Sequence, residues 1–335
     1  MNIDEFDYQL PESAIAQVPL LDRSSSRLLV DLEGQISHCN FWDFPSFLNP
    51  GDVIVLNDTR VRPARLLAQR PTGGKVEVLL LEPSNELIDR WEALVKPSRK
   101  VLPGTVLTVN EGFEIHVHED LGGGRRIVEV SVDGGLLEKL QQYGKLPLPP
   151  YFKNCLEDPE RYQTVYARRS ASAASPTAGL HFTTEIFQEC EAAGARIEYL
   201  ELVVGLDTFR PVTVVNLDEH QMHSEAYVVS QSTMEACLEA TRVIAVGTTT
   251  LRALESAALG ALSGRTDLFI RRPFPFQIVD LLLTNFHLPR STLLLMLDAF
   301  IGPRWHDLYA LALKNKYRFL SFGDAMLVDR MRELR

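Results

Sequence analysis

The stretch SPTAGLHFT, residues 175–183, places a proline, a glycine and a histidine in front of a predicted helix. Thr183 or Thr184 can cap that helix, and free backbone N–H groups at a helix start attract negative charge. Small residues let a ligand approach the backbone closely, and His181 would then face the ligand. A loop that packs Phe182 into the core in front of a capped helix explains the same residues equally well. The pattern therefore leaves both a ligand pocket and a structural loop open.

A second candidate site follows the predicted strand RVIAV, where the chain continues GTTTLRALES. Gly247 makes a turn, and Thr248 and Thr249 offer hydroxyl and N–H groups at a helix start, a geometry that suits a carboxylate, a phosphate or a ribose hydroxyl. The lysine and the second glycine of a Walker loop are missing, so we do not predict a P-loop. Arg252 and Glu255 come one turn later and could reach the same pocket, although such turns often serve only as caps.

The segment DEHQMHSEAY brings His220, His223 and Glu225 together. A spacing of three between histidines invites a metal interpretation, but no third strong ligand stands at a known offset, so we predict no metal site. A histidine and a carboxylate placed for proton transfer fit better, with a polar surface turn as the alternative. Asn285 and His287, in TNFHLPRST, end another predicted strand, where a buried structural histidine is equally compatible with the pattern.

Basic residues form local runs in a chain whose net charge is −10. Five of them, and no acidic residue, lie between Arg60 and Lys75. An acidic protein is not expected to coat nucleic acid non-specifically, yet such runs can face a polyanion or can be solvated surface. Asp58 and Arg60 directly follow a predicted strand, where they could hold a substrate or tie two domains together.

The elements that must position these residues fall into two regions. Residues 63–149 contain about five short, partly alternating runs separated by turn residues, which predict a small antiparallel barrel or sandwich. After Arg161, strands and helices alternate up to a last predicted strand, YRFLSF, which indicates a largely parallel sheet covered by helices. We therefore expect a mixed, largely parallel α/β body, residues 1–62 and 150–335, with an inserted small antiparallel β-barrel domain.

Composition excludes several classes of protein. The acidic N-terminus lacks an apolar segment, so no signal peptide is predicted, and the longest apolar run, STLLLMLDAFIG, is too short to cross a membrane. Four scattered cysteines without a C-x-x-C pair fit reduced thiols rather than a disulfide framework: Cys39, Cys155, Cys190 and Cys237. We expect a cytoplasmic protein without membrane contact.

Several of these stretches, taken in order, resemble the S-adenosylmethionine:tRNA ribosyltransferase-isomerase family of the queuosine pathway. The resemblance runs from Asp7 to about Leu327, and its most specific parts are PTAGLHF and VGTTTLRALES. The other stretches that carry it are DYQLPESAIAQVPLLDRSSSRLL, GDVIVLNDTRVRPARL, KPSRK, RYQTVYA, GLDTFRPV, HQMHSE, LLTNFHLPRSTLL and YRFLSFGDAML.

The resemblance implies an α/β enzyme with an inserted barrel that consumes S-adenosylmethionine as a co-substrate and uses no cofactor and no metal. Family members transfer the ribosyl group of this donor, not its methyl group, to 7-aminomethyl-7-deazaguanine (preQ1) at the wobble position of tRNA, giving epoxyqueuosine. The proposed chemistry begins with loss of a C5′ proton beside the sulfonium. Adenine is then expelled, the aminomethyl nitrogen attacks, and an epoxide closes as methionine leaves. We expect the chain to act as a monomer.

The family motifs also imply roles for individual residues. His181 or His223, together with Glu225, is expected to supply the base, because imidazole can take and return protons near neutral pH. The donor pocket is expected to be formed by Pro176, Thr177, Gly179, Phe182, Gly247, Thr248, Thr249, Arg252, Asn285 and His287. Contacts to the tRNA are expected from Asp58, Arg60, Arg65, Lys96 and Arg99.

Three positions depart from the usual family pattern. Val203 stands in place of a histidine, Asp207 in place of a glycine, and Leu281 where a glycine is common. Retention of the other motifs favours activity. Three alternatives remain: a methyltransferase, whose glycine-rich first turn is missing here; the same ribosyl transfer to a non-tRNA deazapurine acceptor; and a non-catalytic RNA-binding module, which would leave PTAGLHF and VGTTT unexplained.

Overall fold

The computed structural model describes residues 1–84, 89–153, 156–205 and 211–331, so Cys155 and Asp207 lie outside the described residues. The chain divides into two compact units, Met1–Arg60 with Pro149–Arg335 and Val61–Leu148. No helix within the described ranges has both the length and the apolar character needed to cross a bilayer. Three free thiols are described, those of Cys39, Cys190 and Cys237.

The strands and helices of the described chain have the following residue ranges. The strands are β1 (Arg27–Leu32), β2 (Gln35–Asn40), β3 (Asp52–Asn57), β4 (Thr59–Val61), β5 (Arg65–Gln69), β6 (Lys75–Pro83), β7 (Arg90–Lys96), β8 (Val106–Asn110), β9 (Phe113–Gly122), β10 (Arg125–Val132), β11 (Arg169–Ser172), β12 (Arg196–Leu202), β13 (Glu225–Val229), β14 (Arg242–Val246), β15 (Ser263–Thr266), β16 (Leu281–Asn285) and β17 (Ala325–Asp329). The α-helices are α1 (Leu136–Tyr143), α2 (Thr184–Ala192), α3 (Gln231–Glu239), α4 (Thr248–Ala258), α5 (Thr292–Ile301) and α6 (Trp305–Lys314).

The first unit is built on a nine-stranded mixed sheet with the order β15-β13-β12-β3-β14-β16-β17-β1-β2. Strands β12, β3, β14 and β16 run parallel to one another, whereas β17 is antiparallel to β16. The carboxyl ends of the four parallel strands therefore meet at one edge of the sheet, which is where ligands bind in open α/β sheets. The predicted mixed α/β body is confirmed.

Strand β3 shows how the sequence builds this unit. All six residues of its run DVIVLN are buried. Val53 and Val55 belong to one apolar core, and Ile54 and Leu56 belong to the other. Because successive side chains point to opposite faces, a strand covered on both sides has a continuous apolar sequence. Helices α4, α5 and α6 contribute to the first core, and α2 contributes to the second.

The second unit contains a closed antiparallel barrel of six strands, in the order β10-β7-β6-β5-β8-β9. Strand β7 shows the alternation expected of a small barrel, because Trp91, Ala93 and Val95 are buried while the residues between them are partly exposed. Closure leaves no strand edge free to pair with another chain. The prediction of a small antiparallel barrel is confirmed.

The prediction of a last strand at YRFLSF is wrong, because β17 begins only at Ala325. Leu320 has a φ of 68°, in the left-handed region that a strand does not use, and it is followed by a turn in which the Gly323 N–H donates to the Leu320 carbonyl. Tyr317 and Phe319 pack with Phe286 in an aromatic cluster. The run is apolar because it forms a buried loop.

Candidate active site

A cleft opens at the carboxyl ends of β14 and β16. Its empty space, including the open mouth, is about 600 Å³. No acidic, lysine or arginine side chain is among the described residues that line it. These residues are Tyr151, Ser175, Pro176, Thr177, Ala178, Val204, Gly247, Thr248, Thr249, Thr284, Asn285, Phe286, His287, Leu288, Ser291, Leu293, Leu320 and Ser321.

Two helices begin at this cleft. Gly247 precedes α4 with a φ of 90°, which glycine adopts without steric cost, and Thr248 and Thr249 form the first residues of the helix. The Thr249 hydroxyl is buried and has no hydrogen-bond partner among the described residues. At the start of α5, the Ser291 hydroxyl accepts the Leu294 N–H at 3.2 Å. Two helix N-termini make this end of the cleft favourable for an anionic group.

A hydrogen-bonded row connects the cleft to His181. Thr177 Oγ1 donates to Asn285 Oδ1 at 2.8 Å, which orients the amide so that its Nδ2 faces His181 Nε2 at 3.3 Å. Nε2 is then an acceptor, and the ring proton lies on Nδ1, which donates to Ser26 Oγ at 2.7 Å. Burial lowers the pKa of His181 to about 4, so the ring is neutral at pH 7. His181 therefore contacts the cleft through Asn285 and not directly.

His287 is both buried and in contact with the cleft, so it can be a buried structural histidine and a donor-pocket residue at the same time. Its Nε2 lies 3.1 Å from Thr284 Oγ1. Its backbone N–H donates to the Tyr309 hydroxyl at 2.9 Å, and its carbonyl accepts a hydrogen bond from the Tyr8 hydroxyl. Burial lowers the pKa of His287 to about 3. The ring is consequently fixed in place and neutral at physiological pH.

Glu225 forms the centre of a separate buried group behind α4. Arg252 Nη1 donates to Glu225 Oε2 at 2.6 Å, and the two side chains are 3% and 4% exposed. His223 Nε2 lies 3.2 Å from Glu225 Oε1, and the Gly205 N–H donates to the same oxygen at 2.8 Å. Burial by itself raises the pKa of Glu225, but these three partners outweigh it and hold the pKa below its ordinary value. The ionised carboxylate thus holds Gly205, next to the cleft-lining Val204, close to Arg252 of α4.

His220 lies beside this group and does not complete a metal site. Its ring packs on Phe269 at a centroid distance of 5.0 Å. Burial and the neighbouring His223 lower the pKa of His220. Within the part of the chain that the structure describes, no three His, Cys, Asp or Glu side chains are placed to share a metal ion.

Seven of the ten predicted donor-pocket residues line the cleft, and Gly179, Phe182 and Arg252 do not. Phe182 is fully buried and stacks on Phe187 at 4.9 Å, because it fills the core on one face of the sheet. Gly179 lies under a tyrosine, since a Cβ atom there would be 1.8 Å from the Tyr166 hydroxyl oxygen. Arg252 is held in its ion pair with the carboxylate behind α4.

The predicted tRNA contacts divide between the two units. The structure does not support the expected contact between Asp58 and tRNA. Asp58 is buried and lies 3.7 Å from Arg168, and burial and the charge of Glu201 raise its pKa, so it does not present a group to a phosphate. Arg60 does not pair with Asp58 but with Glu160.

The remaining tRNA candidates belong to the barrel unit. Lys96 and Arg99 are exposed, and neither has a salt-bridge partner among the residues that the structure describes. Arg65 lies 3.8 Å from Glu77 and donates to the Leu148 carbonyl at 3.3 Å. Lys96 and Arg99 are thus available to an external anion, and Arg65 is already engaged within the unit.

Eleven of the eighteen described residues that line the cleft were not predicted as donor-pocket residues, and four of these eleven are informative. Tyr151 and Ser321 share a hydrogen bond of 2.5 Å between their hydroxyls, Leu320 has the positive φ described above, and the buried Ser175 hydroxyl has no partner among the described residues. Two signals were available, because Ser175 opens SPTAGLHFT and Leu320 lies in YRFLSFGDAML. Neither signal showed that the loop before β17 returns to the edge of the sheet.

The two described departures from the family pattern do not line the cleft. Val203 donates its N–H to the Ala226 carbonyl at 2.9 Å, and the neighbouring Val204 is the residue that reaches the cleft. Leu281 is buried at the amino end of β16, opposite to the end that carries Asn285. Asp207 lies outside the described residues.

Comparisons with known proteins agree over nearly the whole chain. A family model described as "Queuosine biosynthesis protein" matches residues 3–328. Proteins named S-adenosylmethionine:tRNA ribosyltransferase-isomerase from Staphylococcus haemolyticus and Rubrobacter xylanophilus are 48% and 49% identical to this chain; each match covers 98% of this chain, and 100% and 98% of the two relatives. The crystal structure of an S-adenosylmethionine tRNA ribosyltransferase from Thermotoga maritima is 35% identical, covers 97% of this chain and 99% of its own, and has a TM-score of 0.55. This chain therefore belongs to the queuosine biosynthesis protein family.

Proposed function

We propose that this protein is a transferase that moves and isomerises the ribosyl group of S-adenosylmethionine onto a base of tRNA. The observation that carries the proposal is the convergence of three separate segments on one cleft. Thr177, Gly247 to Thr249, and Asn285 lie far apart in the chain and line the same cavity. The names of the relatives specify tRNA as the acceptor, so transfer to a non-tRNA deazapurine is not favoured.

The lining of the cleft supports a placement for the donor. Tyr151, Phe286 and Leu320 offer an apolar wall for the purine ring, and the start of α4 at Thr248 offers N–H groups for the methionine carboxylate. No lysine or arginine is among the described lining residues, so no positively charged side chain of that set would contact the sulfonium directly. The donor is consumed as a substrate, and we propose that no cofactor is required.

We assign removal of the C5′ proton to His287, the one imidazole among the described residues that line the cleft. Burial keeps the ring neutral at physiological pH, so one ring nitrogen carries no proton, but the low pKa also makes it a weak base. The proposal therefore relies on the sulfonium beside C5′, whose positive charge stabilises the carbanion that forms. His181 orients Asn285 from behind, and His223 and Glu225 hold the Val204 segment, so we give these three residues positioning roles. This revises the roles expected from the sequence.

The acceptor in this proposal is preQ1 at the wobble position of tRNA, and the product is epoxyqueuosine. Exposed Lys96 and Arg99 of the barrel unit are proposed to contact the RNA backbone. Phosphate contacts of this kind position a folded stem-loop, and the target base is read after it leaves the stack. We further propose that the protein works as a monomer in the cytoplasm.

The deciding experiment mixes the protein with S-adenosylmethionine and preQ1-containing tRNA and measures free adenine and methionine. Equal release of both, only when the modified tRNA is present, is the expected result. Formation of S-adenosylhomocysteine would show methyl transfer and refute the proposal. RNA binding without release of any donor fragment would support a non-catalytic RNA-binding module instead.

Variants of two residues test the assignments within the cleft. His287→Asn should abolish adenine release while the donor still binds, because it removes the proton acceptor. Asn285→Ala should raise the donor KM roughly tenfold or more, since it removes the amide that joins Thr177 to His181. The exposed Asn315, which lies at the end of α6, provides the matched control Asn315→Ala. Unchanged release by His287→Asn would refute its assignment as the base.

A further inference from the structure

A second, smaller cavity lies on the other side of His181 from the cleft, within the same unit. We call it the arginine pocket, and it is lined by Pro19, Leu20, Arg23, Ser26, Arg161, Leu180, His181, Ser321, Phe322 and Gly323. Its empty space, including its mouth, is about 310 Å³. Ser321 lines both cavities, and His181, which lines the arginine pocket, contacts the cleft-lining Asn285. The two cavities are therefore separated by a wall one side chain thick.

Two guanidinium groups line this pocket, and the structure fixes both of them through backbone carbonyls. Arg23 donates to the carbonyls of Gln163 at 2.7 Å and Glu160 at 3.0 Å. Arg161 donates to the carbonyls of Leu20 and Leu21. Neither has a carboxylate within salt-bridge distance among the described residues. Carbonyl bonds orient a guanidinium without neutralising its charge, so both cations stay available to an anion.

A third arginine adds to the positive charge next to the pocket. Arg318 donates from Nη2 to the carbonyl of Val18, which directly precedes the pocket-lining Pro19. Its other terminal nitrogen, Nη1, is buried and has no hydrogen-bond partner in the described structure. Arg318 and Arg23 both lie close enough to His181 to lower its pKa, although burial is the larger cause.

Nearby carboxylates do not cancel this charge. Asp158 and Glu160 lie close to Arg23, and Asp324 lies close to Arg318. Glu160 is paired with Arg60, and Asp324 is paired with Arg27. Among the described residues, none of the three arginines has a carboxylate within salt-bridge distance, and Asp158 has no salt bridge to any arginine. In a chain of net charge −10, this is a local excess of positive charge directly beside the cleft.

We propose that the arginine pocket binds a backbone phosphate of the RNA acceptor next to the base that enters the cleft. Arg23 and Arg161 would donate hydrogen bonds to the phosphate oxygens, and the Ser26 hydroxyl, which lines the same pocket, can add a further polar contact. Anchoring a phosphate behind the shared Ser321 brings the neighbouring base to the cleft. This inference rests on the proposed function, since it names the part of the acceptor that this side of the site holds.

The test measures binding of an anticodon stem-loop RNA to the full-length protein at several KCl concentrations, without donor. Arg23→Gln and Arg161→Gln should each weaken RNA binding roughly 10- to 100-fold. Each should also lower the slope of log affinity against log salt by about 0.7, the value for one lost contact to single-stranded nucleic acid. Arg23→Lys and Arg161→Lys keep the charge and should keep the slope. Arg196→Gln, an exposed position at the amino end of β12, is the matched control.

The outcomes separate the pocket from the enzyme activity. Unchanged RNA affinity and slope in folded glutamine variants would overturn the inference. So would a rise in the donor KM without loss of RNA affinity, which would assign the pocket to the donor carboxylate. A reduced slope in the lysine variants would indicate a structural role for the arginines and would equally overturn it, and these variants decide the question if the glutamine variants do not fold. If the wild type releases no adenine, the proposed function fails, but the RNA-binding measurements still test whether the arginine pocket binds a phosphate.

Discussion

Replacing Arg252 with methionine should destabilise the α/β unit by about 3–5 kcal/mol at neutral pH, the range for removing one partner of a buried ion pair. The structure supports the full range, because both side chains of the pair are nearly inaccessible to water and solvent screening is small. The guanidinium also donates to the carbonyls of His223 at 3.1 Å and Thr266 at 2.8 Å. Methionine has a similar volume, so the loss would come from these carbonyls and from the Glu225 carboxylate, which keeps His223 and Gly205 but loses its arginine, and not from a cavity.

The loss of stability should depend on pH in a defined direction. In the wild type the pKa of Glu225 is lowered, so its ionised form stabilises the folded state above its unfolded pKa of about 4.3, and that contribution is lost as the pH falls through the lower folded value. Without Arg252, one of the groups that lower this pKa is lost, so the folded pKa rises from its wild-type value. The stability difference between wild type and variant should therefore be largest near pH 7–8 and should shrink as the pH falls toward 4.

Urea unfolding followed by circular dichroism at pH 4 and pH 8 measures both effects. Glu225→Gln combined with Arg252→Met should recover part of the loss, because no charge is then left buried without a partner. A loss below about 1 kcal/mol at pH 8, or an equal loss at both pH values, would refute the reasoning. The same variant should raise the donor KM if this pair holds the Val204 segment at the cleft.

Two further predictions concern the loop before α2 and the buried imidazoles. Gly179→Ala should lower the stability by about 1–3 kcal/mol in thermal unfolding, because its Cβ would clash with the Tyr166 hydroxyl. Adding Tyr166→Phe should restore part of the lost stability. Gly135→Ala, at a position with open space and negative φ, is the control and should be nearly neutral. Burial lowers the pKa of His181 to about 4 and of His287 to about 3, so folding stability should fall as the pH decreases from about 6.5 toward 4, where the unfolded state takes up protons that the folded state excludes. His287→Asn should make stability, measured by urea unfolding, fall less steeply as the pH decreases. An unchanged dependence of stability on pH would contradict the lowered pKa of His287.

The local sequence determined which strands and turns form the edge of the sheet that carries the cleft. The run DVIVLN predicts a buried strand because both faces of β3 are covered. The run GTTT predicts a helix start because Gly247, the residue before α4, has a positive φ that glycine adopts without steric cost. The alternating runs of the inserted segment likewise predict a barrel. These features depend on neighbours a few residues apart, so the sequence carries them directly.

Only the tertiary structure decided which side chains meet. PTAGLHF predicts a pocket, but Phe182 packs into the core. His181 contacts Asn285, more than a hundred residues away in the sequence, because the parallel strands bring their carboxyl ends together across long separations. Leu320 reaches the cleft because a left-handed residue turns an apolar run into a loop, which periodicity does not reveal. The sequence thus determined the elements and the motifs, whereas the packing of the sheet decided that Glu225 supports the cleft from behind while His287 faces into it.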